Sequence, residues 1–235
     1  MNTSYTTLSI VIPAYNEEKT LRTIVEKVQA ANTAPLKMEV IIVDNNSTDR
    51  TNGIARSIPG VTVLEEKTKG KGAALACGIK QSHGDIIIIQ DADLEYEPND
   101  FQALIKPILE KKTEMVLGVR IESRIKKSDR IKIGLLGWIG TKIITLTTNI
   151  LYLNWAGEYT GGYKAFTRSA YNSVTIKTHD FDFDSEFICK LLKKGYKTVD
   201  VPIHYYPRSY AEGKKICWKH GFQILWTTIK YRFIA

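Results

Sequence analysis

The stretch with the clearest chemical content is Asp85-Ile-Ile-Ile-Ile-Gln-Asp91-Ala-Asp93-Leu-Glu95. Four isoleucines lead into two carboxylates separated by Ala92, and a third carboxylate follows two positions later. Oxygen-only side chains suit a hard divalent cation, and Mg2+ commonly takes one or two carboxylates and completes its shell with substrate phosphates. Asp91, Asp93 and Glu95 are therefore candidate ligands of Mg2+ or Mn2+. Taken alone, an Asp-x-Asp pair is more often a turn or a helix cap. The isoleucine run before it favours a site, because ligands of open α/β sheets bind beyond the carboxyl ends of strands.

Other apolar runs end in polar groups as well. Pro13-Ala-Tyr15-Asn-Glu17-Glu18 follows the first run, where a backbone turn and Tyr15 could sandwich a planar base. Glu17 and Glu18 read equally as first-turn acids complementing a helix dipole. Asp44 ends the second run and could accept hydrogen bonds from a base or ribose; Asp44 to Asp49 could also be only a loop that caps the next helix. Gly70-Lys71-Gly72 offers a lysine and backbone amides to an anion at a helix start, although three residues are a short signal.

The elements that must hold these groups are legible from periodicity. Apolar runs at Leu8–Pro13, Val40–Val43, Val61–Leu64 and Asp85–Gln90 read as strands, the last buried on both faces as in a parallel sheet. Helical spacing marks Glu17–Ala31, Asp49–Ser57 and Ala73–Ser82 between them. Strands alternating with helices imply βαβ units and a parallel-dominated sheet covered by helices. Further along, Met115–Val119, Gly162–Thr167 and Lys197–His204 read as strands and Asp184–Lys194 as a helix. Leu135–Trp155 is largely apolar but contains Lys142, Asn149 and Asn154. A membrane span needs about 20 predominantly apolar residues, so these polar groups favour a core or interfacial helix. The tail Ile216–Phe233 sets Trp218, Phe222, Leu225, Trp226 and Ile229 among basic residues. It reads either as a helix in a membrane interface or as one packed on its own domain. The expected organisation is one domain over 1–215 with an amphipathic appendage over 216–235.

The 235 residues carry 33 Lys+Arg against 25 Asp+Glu and are 43% hydrophobic, the profile of a folded chain that can bury a sizeable core. Three cysteines, Cys77, Cys189 and Cys217, are too few and scattered for a disulfide framework or a Cys-x-x-Cys metal site and fit a reduced cytosolic protein. The uncharged start at Met1–Thr7 does not resemble a signal peptide. Positive charge is concentrated: six bases lie between Arg120 and Lys132, and ten from Lys190 onward. Such blocks beside apolar segments suit phosphates, acidic lipids or nucleic acid. The apolar Leu135–Trp155 segment, without any nucleic-acid motif, argues against the last.

Ile10-Val-Ile-Pro-Ala-Tyr-Asn-Glu-Glu18, Val43-Asp-Asn-Asn-Ser-Thr-Asp49, Lys69-Gly-Lys-Gly72 and Gln90-Asp-Ala-Asp-Leu94 together resemble the ordered motifs of glycosyltransferase family 2. Gly118-Val-Arg120, Thr160-Gly-Gly-Tyr-Lys164, Phe183-Asp-Ser-Glu186, Gly195-Tyr196, Val201-Pro-Ile203 and Arg208 to Lys214 are similar to the dolichol-phosphate mannose synthase and bacterial polyprenyl-phosphate branch. The resemblance spans roughly residues 8 to 220. It implies a GT-A fold, that is, a Rossmann-like nucleotide-diphospho-sugar transferase with a mostly parallel central sheet flanked by helices. Departures are Asp44-Asn45-Asn46 where the family usually has Asp-Asp, Glu158 for a common Asp, and Ala211-Glu212-Gly213-Lys214 for a Gly-x-Ser-Lys pattern.

Carried over position by position, the resemblance implies that Pro13, Tyr15, Glu17 and Asp44 line the base and ribose. Asp91 and Ala92 would sit by ribose and diphosphate, and Asp93 would be the main metal ligand. Arg120, Arg130, Arg208 and Lys214 match positions that bind acceptor or donor phosphate. The implied reaction is inverting transfer from GDP-mannose or a UDP-hexose to a dolichyl or undecaprenyl phosphate. A lipid phosphate is already anionic at neutral pH (second pKa of roughly 6), so it needs a cationic clamp rather than a base. A hydroxyl acceptor would need a general base, for which Asp184 or Glu186 is available. An inactive nucleotide-sugar-binding subunit is the non-enzymatic alternative. A polyprenyl acceptor places the protein peripherally on the cytoplasmic face of a membrane, alone, as a homo-oligomer or with a membrane-anchoring partner.

Overall fold

The structure, a computed structural model, describes residues 5–120, 135–209, 213 and 218–234. Arg130, Lys214 and the basic block beyond Arg120 lie outside the described residues. The first half alternates β1 (Thr7–Ala14), α1 (Leu21–Ala30), β2 (Lys37–Asp44), α2 (Thr51–Arg56), β3 (Thr62–Glu65), α3 (Lys71–Gln81) and β4 (Ile86–Ile89). The second half holds α4 (Phe101–Leu109), β5 (Met115–Arg120), α5 (Leu135–Tyr152), β6 (Lys164–Thr167), α6 (Arg168–Asn172), α7 (Phe183–Lys193), β7 (Thr198–Ile203) and α8 (Trp218–Phe233).

The strands form one seven-stranded sheet in the order β3-β2-β1-β4-β6-β5-β7. β1 pairs in parallel with β2 and β4, β2 with β3, and β5 with β7. β6 is inserted antiparallel between β4 and β5, with Lys164 opposite Ile89 and Leu117. This one reversal serves the site. Because β6 begins at the edge where its neighbours end, its leading residues join the carboxyl ends of β1, β2, β4, β5 and β7 along a single rim.

Burial on both faces explains the sequence of β4. Ile86 and Ile88 pack with α1 and α4, Ile87 and Ile89 with α3 and α7, and all four are fully buried. Each such side chain stabilises the fold by roughly 1.5–3 kcal/mol. α4 is absent from the sequence-based expectation although Phe101, Leu104, Ile105 and Ile108 have helical spacing and are buried. Pro107 reads as a breaker, but it sits in the last turn of the helix. The expected helix from Glu17 starts four residues later, since Thr20 and Leu21 both donate to the Glu17 carbonyl in a preceding turn.

α8 packs against α5 and α7, burying Ile224, Thr227, Thr228 and Tyr231. Tyr152 donates to the Thr228 carbonyl (2.9 Å), and Thr227 to Asp182 (3.0 Å). The opposite faces stay apolar and exposed. Ile139, Ile143, Leu146, Ile150 and Leu153 form a stripe on and just beyond α5; Phe222, Trp226, Ile229 and Phe233 form one on α8. Among the described residues no helix is long and apolar enough to cross a membrane.

α3 reaches the sheet through a residue without a side chain. A Cβ on Gly78 would lie 2.5 Å from Val11 Cγ1 and 2.8 Å from Val43 Cγ2. Gly78→Ala should therefore destabilise by about 1–3 kcal/mol. Thermal unfolding reads this as a drop of roughly 2–4 °C per kcal/mol; an unchanged melting temperature would show that the helix can move off the sheet at no cost.

Candidate active site

Among the described residues, Glu17, Asp91, Asp93 and Glu95 gather on the rim around Lys71 and Arg208. Asp91 faces Lys71, whose Nζ lies 2.5 Å from Oδ1. Asp93 accepts from Arg208 Nη2 (2.9 Å) and from the Glu95 N–H (3.1 Å). Arg208 also reaches Glu17 (3.3 and 3.4 Å) and lies 3.7 Å from Glu95. Glu95 is held further by the Tyr205 hydroxyl (2.9 Å) and the Arg208 backbone N–H (3.1 Å). Burial, reinforced by Asp91 and Glu95, pushes the Asp93 carboxyl up to about 7, against the pull of Arg208. Burial would lower the Lys71 ammonium, but Asp91 and Asp184 hold it well above the ordinary lysine range.

Backbone geometry shapes these loops. Asn16, Asn46 and Leu94, following β1, β2 and β4, have φ of 51°, 61° and 63°. For a bulky leucine the left-handed region is uncommon. It turns the chain between Asp93 and Glu95 so that both acids face Arg208. Close packing fixes Asp91 from behind, since a Cβ on Gly162 would fall 2.4 Å from its Oδ2. Gly162 donates its N–H to the Tyr96 hydroxyl (2.7 Å). Ala92 is buried beside it.

Pro13, Tyr15, Glu17 and Asp44 lie at the neighbouring ends of β1 and β2. Pro13 pairs with Val43, and Ala14 with Asp44. Tyr15 is exposed, while Glu17 is buried and donates its N–H to Thr51 (2.8 Å). Asp44 is buried; its Oδ2 accepts from Asn52 (3.2 Å), and its Oδ1 has no hydrogen-bond partner among the described residues. An orphan acceptor at a strand end is what a ligand N–H or hydroxyl would satisfy. Asn45, standing where the family usually has an acid, donates to the carbonyls of Glu66 (3.0 Å) and Thr68 (2.7 Å) and accepts from Gly70 N–H (2.9 Å). A carboxylate could not make the two donations. Gly70-Lys71-Gly72 is packed under the 179–183 segment, with the Ala73 N–H given to the His179 carbonyl (2.9 Å). That amide serves the protein's own backbone, and Lys71 serves Asp91.

Across the rim Arg120, the last residue of β5, donates from Nε to Glu158 (3.0 Å), pairs through Nη2 with the other Glu158 oxygen, and sits 4.8 Å over the Tyr205 ring. Thr160 donates to Glu158 (2.9 Å) and links the group to Thr141 of α5 (3.3 Å). Burial would raise the Glu158 carboxyl, but Arg120 holds it below the usual range. The structure thus brings Asp91, Asp93, Glu95, Glu17, Lys71 and Arg208 together, with Asp44 and Arg120 flanking.

Two further acids were base candidates. Asp184 lies 3.2 Å from Lys164, which is fully buried and also donates to the Gly161 carbonyl; Asp184 Oδ1 is buried with no partner among the described residues. Glu186 points inward: it is fully buried and accepts from Lys177 N–H (3.0 Å), Thr178 N–H (2.8 Å) and Lys190 Nζ (2.5 Å). Lys164, Tyr96 and Tyr205 carry no role in the sequence reading. A lysine beside a Gly-Gly pair on a strand was the available signal for Lys164, and its burial was not readable from it.

A family model, glycosyl transferase family 2, matches residues 9–175. The chain belongs to this family. The match contains the ends of β1, β2, β4 and β5; Arg208, α7 and α8 lie beyond it. This family 2 chain is 29% identical over 237 residues to the low-salt glycan biosynthesis hexosyltransferase of Haloferax volcanii, covering 97% of the chain and 55% of that relative. It is 27% identical over 241 residues to the UDP-N-acetylglucosamine–dolichyl-phosphate N-acetylglucosaminyltransferase of Methanococcus voltae, covering 92% of each. The crystal structure of glucosyl-3-phosphoglycerate synthase from Mycobacterium tuberculosis with phosphoglyceric acid superposes at TM-score 0.74 and 19% identity, over 98% of this chain and 81% of that one. The same synthase with Mn2+, UDP-glucose and phosphoglyceric acid gives 0.72 at 19% identity, over 98% and 81% of the two chains. At that identity the likeness concerns the GT-A fold.

Among the described residues no three Asp, Glu, His or Cys side chains form a ready metal cage. The donor set still fits Mg2+ or Mn2+: its members are hard oxygens, and such sites use few protein ligands and take the rest from phosphate and water. Asp91, Asp93 and Glu95 lie on one loop at the strand end, each already held by a cation or hydrogen-bond donor that a divalent ion could replace.

Glu186 offers a direct check on its role. Burial works against the charged form, but Lys190 and the backbone N–H groups hold its carboxyl down at about 2, from the ordinary 4.5. Its stabilising effect is complete above pH 4.5 and is lost as pH falls toward 2. Glu186→Gln should cost about 1–3 kcal/mol at neutral pH, measured by urea unfolding, and the deficit should vanish in acid. Turnover per folded molecule should be kept; a collapse of turnover at unchanged stability would restore Glu186 as a base.

Proposed function

We propose that this chain is an inverting, divalent-cation-dependent glycosyltransferase that moves a sugar from a nucleotide-sugar to a polyprenyl phosphate at a membrane surface. The observation that carries the reading is the paired apolar face of α5 and α8. Trp138, Ile139, Ile143, Leu146 and Ile150 lie exposed along α5, beside Phe222, Trp226 and Phe233 of α8. Thr141 ties α5 directly to Thr160, a partner of Arg120. An acceptor whose chain stays in the bilayer requires such a surface next to its phosphate site. The Methanococcus relative, named for a dolichyl-phosphate acceptor, supports the same class, and the Mn2+ and UDP-glucose bound by the Mycobacterium synthase support the donor side.

Residue roles follow from position. Asp44 Oδ1 would accept from the ribose or base, and Tyr15 would lie against the base. Asp91 and Asp93 would hold the cation, which supplies neutralisation of the departing diphosphate. Arg120, oriented by Glu158 and Tyr205, would seat an oxygen of the acceptor phosphate. That oxygen forms a bond to the anomeric carbon while the bond to the diphosphate oxygen breaks, with inversion. No proton has to be removed from the nucleophile, so no base is required.

A second reading keeps Asp184 as a base toward a hydroxyl acceptor, favoured by its orphan Oδ1. The deciding assay supplies Mn2+, a panel of UDP- and GDP-sugars, vesicles containing dolichyl or undecaprenyl phosphate, and soluble glycans. Lipid-extractable sugar with released nucleoside diphosphate is expected. Transfer only to soluble hydroxyls would move the assignment to the second reading, and no donor binding at all would overturn both. Arg120→Ala should lower lipid transfer by about 100-fold; full activity would refute the phosphate role.

The apolar face makes its own prediction. Leu146→Asp with Trp226→Asp, both at exposed positions, should weaken sedimentation with anionic vesicles by at least about tenfold. Unchanged vesicle binding would remove the face from membrane contact. Loss of a dimer on size exclusion instead would assign it to a second copy of the chain.

A further inference from the structure

Arg208 occupies a position that the phosphate-clamp role does not explain. Its guanidinium contacts acids from two separate loops: Glu17 after β1 at 3.3 and 3.4 Å, Asp93 after β4 at 2.9 Å, and Glu95 at 3.7 Å. A guanidinium spread over those oxygens cannot also grip an acceptor phosphate. Asp91 pairs with Lys71, while Asp93 shares the Arg208 guanidinium with Glu17 and Glu95. A divalent ion held by Asp93 would fall where that guanidinium now lies.

The backbone is arranged so that the side chain can leave without the residue leaving. The Arg208 N–H is bonded to Glu95 Oε1 at 3.1 Å, and Tyr205, three residues earlier, secures Glu95 Oε2 at 2.9 Å. Tyr206 donates its N–H to the Glu95 carbonyl at 2.8 Å. The segment on which Arg208 sits is thus tied to the acid loop at three points, two through backbone N–H groups and one through the Tyr205 hydroxyl. Only side-chain torsions need change to swing the guanidinium from the acids toward the cleft.

We propose that Arg208 is a built-in competitor of the divalent cation. It neutralises Glu17, Asp93 and Glu95 in the empty enzyme, and cation loading expels it to serve the acceptor phosphate. The inference rests on the metal-dependent reading above and adds an order to it: cation and donor bind first, and the phosphate seat is completed by their arrival. Because coupling between two ligands is reciprocal, an acceptor phosphate should in turn tighten cation binding, by drawing Arg208 off the acids.

The test measures Mn2+ binding to the donor-free full chain by electron paramagnetic resonance of free Mn2+. Arg208→Gln should bind Mn2+ at least about tenfold more tightly than the natural chain, and Arg208→Lys should stay close to it. Geranyl phosphate should tighten Mn2+ binding in the natural chain and have no effect in Arg208→Gln. A measurement without substitution guards against a misfolded variant: phenylglyoxal modification of Arg208, followed by mass spectrometry, should accelerate when Mn2+ is added. Equal or weaker Mn2+ binding by Arg208→Gln, or modification that Mn2+ does not change, overturns the competition while leaving the proposed activity standing. Failure of both proteins to bind millimolar Mn2+, alone and with UDP- or GDP-sugars present, overturns the metal-dependent reading itself.

Discussion

Negative charge gathered at one sheet edge is the constraint around which this molecule is organised. Carboxylates this close and this shielded from water are costly unless cations answer them. Lys71 answers Asp91 and Arg208 answers Asp93, while burial, with Asp91 and Glu95 adding to it, raises the Asp93 carboxyl. The cluster faces the rim where the Asp44 Oδ1 atom is buried with no hydrogen-bond partner among the described residues, and that coincidence marks the rim as a place for a ligand.

The sheet exists to hold that edge still. Parallel strands deliver β1, β2, β4, β5 and β7 to it by their carboxyl ends, and the reversed β6 delivers Gly161 to Lys164 by its amino end. Small residues let the layers close: Gly162 admits Asp91, and Gly118 admits the Tyr163 side chain. Behind the rim, Tyr96 stacks on Tyr163 with ring centroids 4.8 Å apart and meets Tyr205 at a tilt, 5.3 Å away. They connect Gln90, Glu95 and Arg120 through hydroxyls and ring faces. Site geometry is consequently transmitted through packed aromatic surface as well as through ion pairs.

α5 and α8 join two demands in one pair of helices. Their inner faces complete the core beside α7, through Tyr152, Ile224 and Tyr231; their outer faces remain apolar. Both sequence alternatives for the tail have a physical counterpart in this one helix: the packing alternative describes its inner face, and the interfacial composition describes its outer one.

Local signals revealed most strands and helices because periodicity and strand-end carboxylates are properties of short segments. The Ile86–Ile89 run announced a buried strand, and Asp91 to Glu95 announced hard-oxygen chemistry, before any fold was known. α4 shows the limit of such reading, since Pro107 obscured a regular apolar stripe. What required the tertiary structure is everything that depends on which distant residues meet. Glu186, a plausible base from its motif, is sealed inward by Lys190 and two backbone amides. Arg208 finds Glu17, 191 positions away, and Arg120 finds Glu158. Direction of β6, burial of Lys164 and the partner of every charge follow from chain topology, and no local pattern encodes them, because a side chain's electrostatic environment is set by neighbours in space rather than in order.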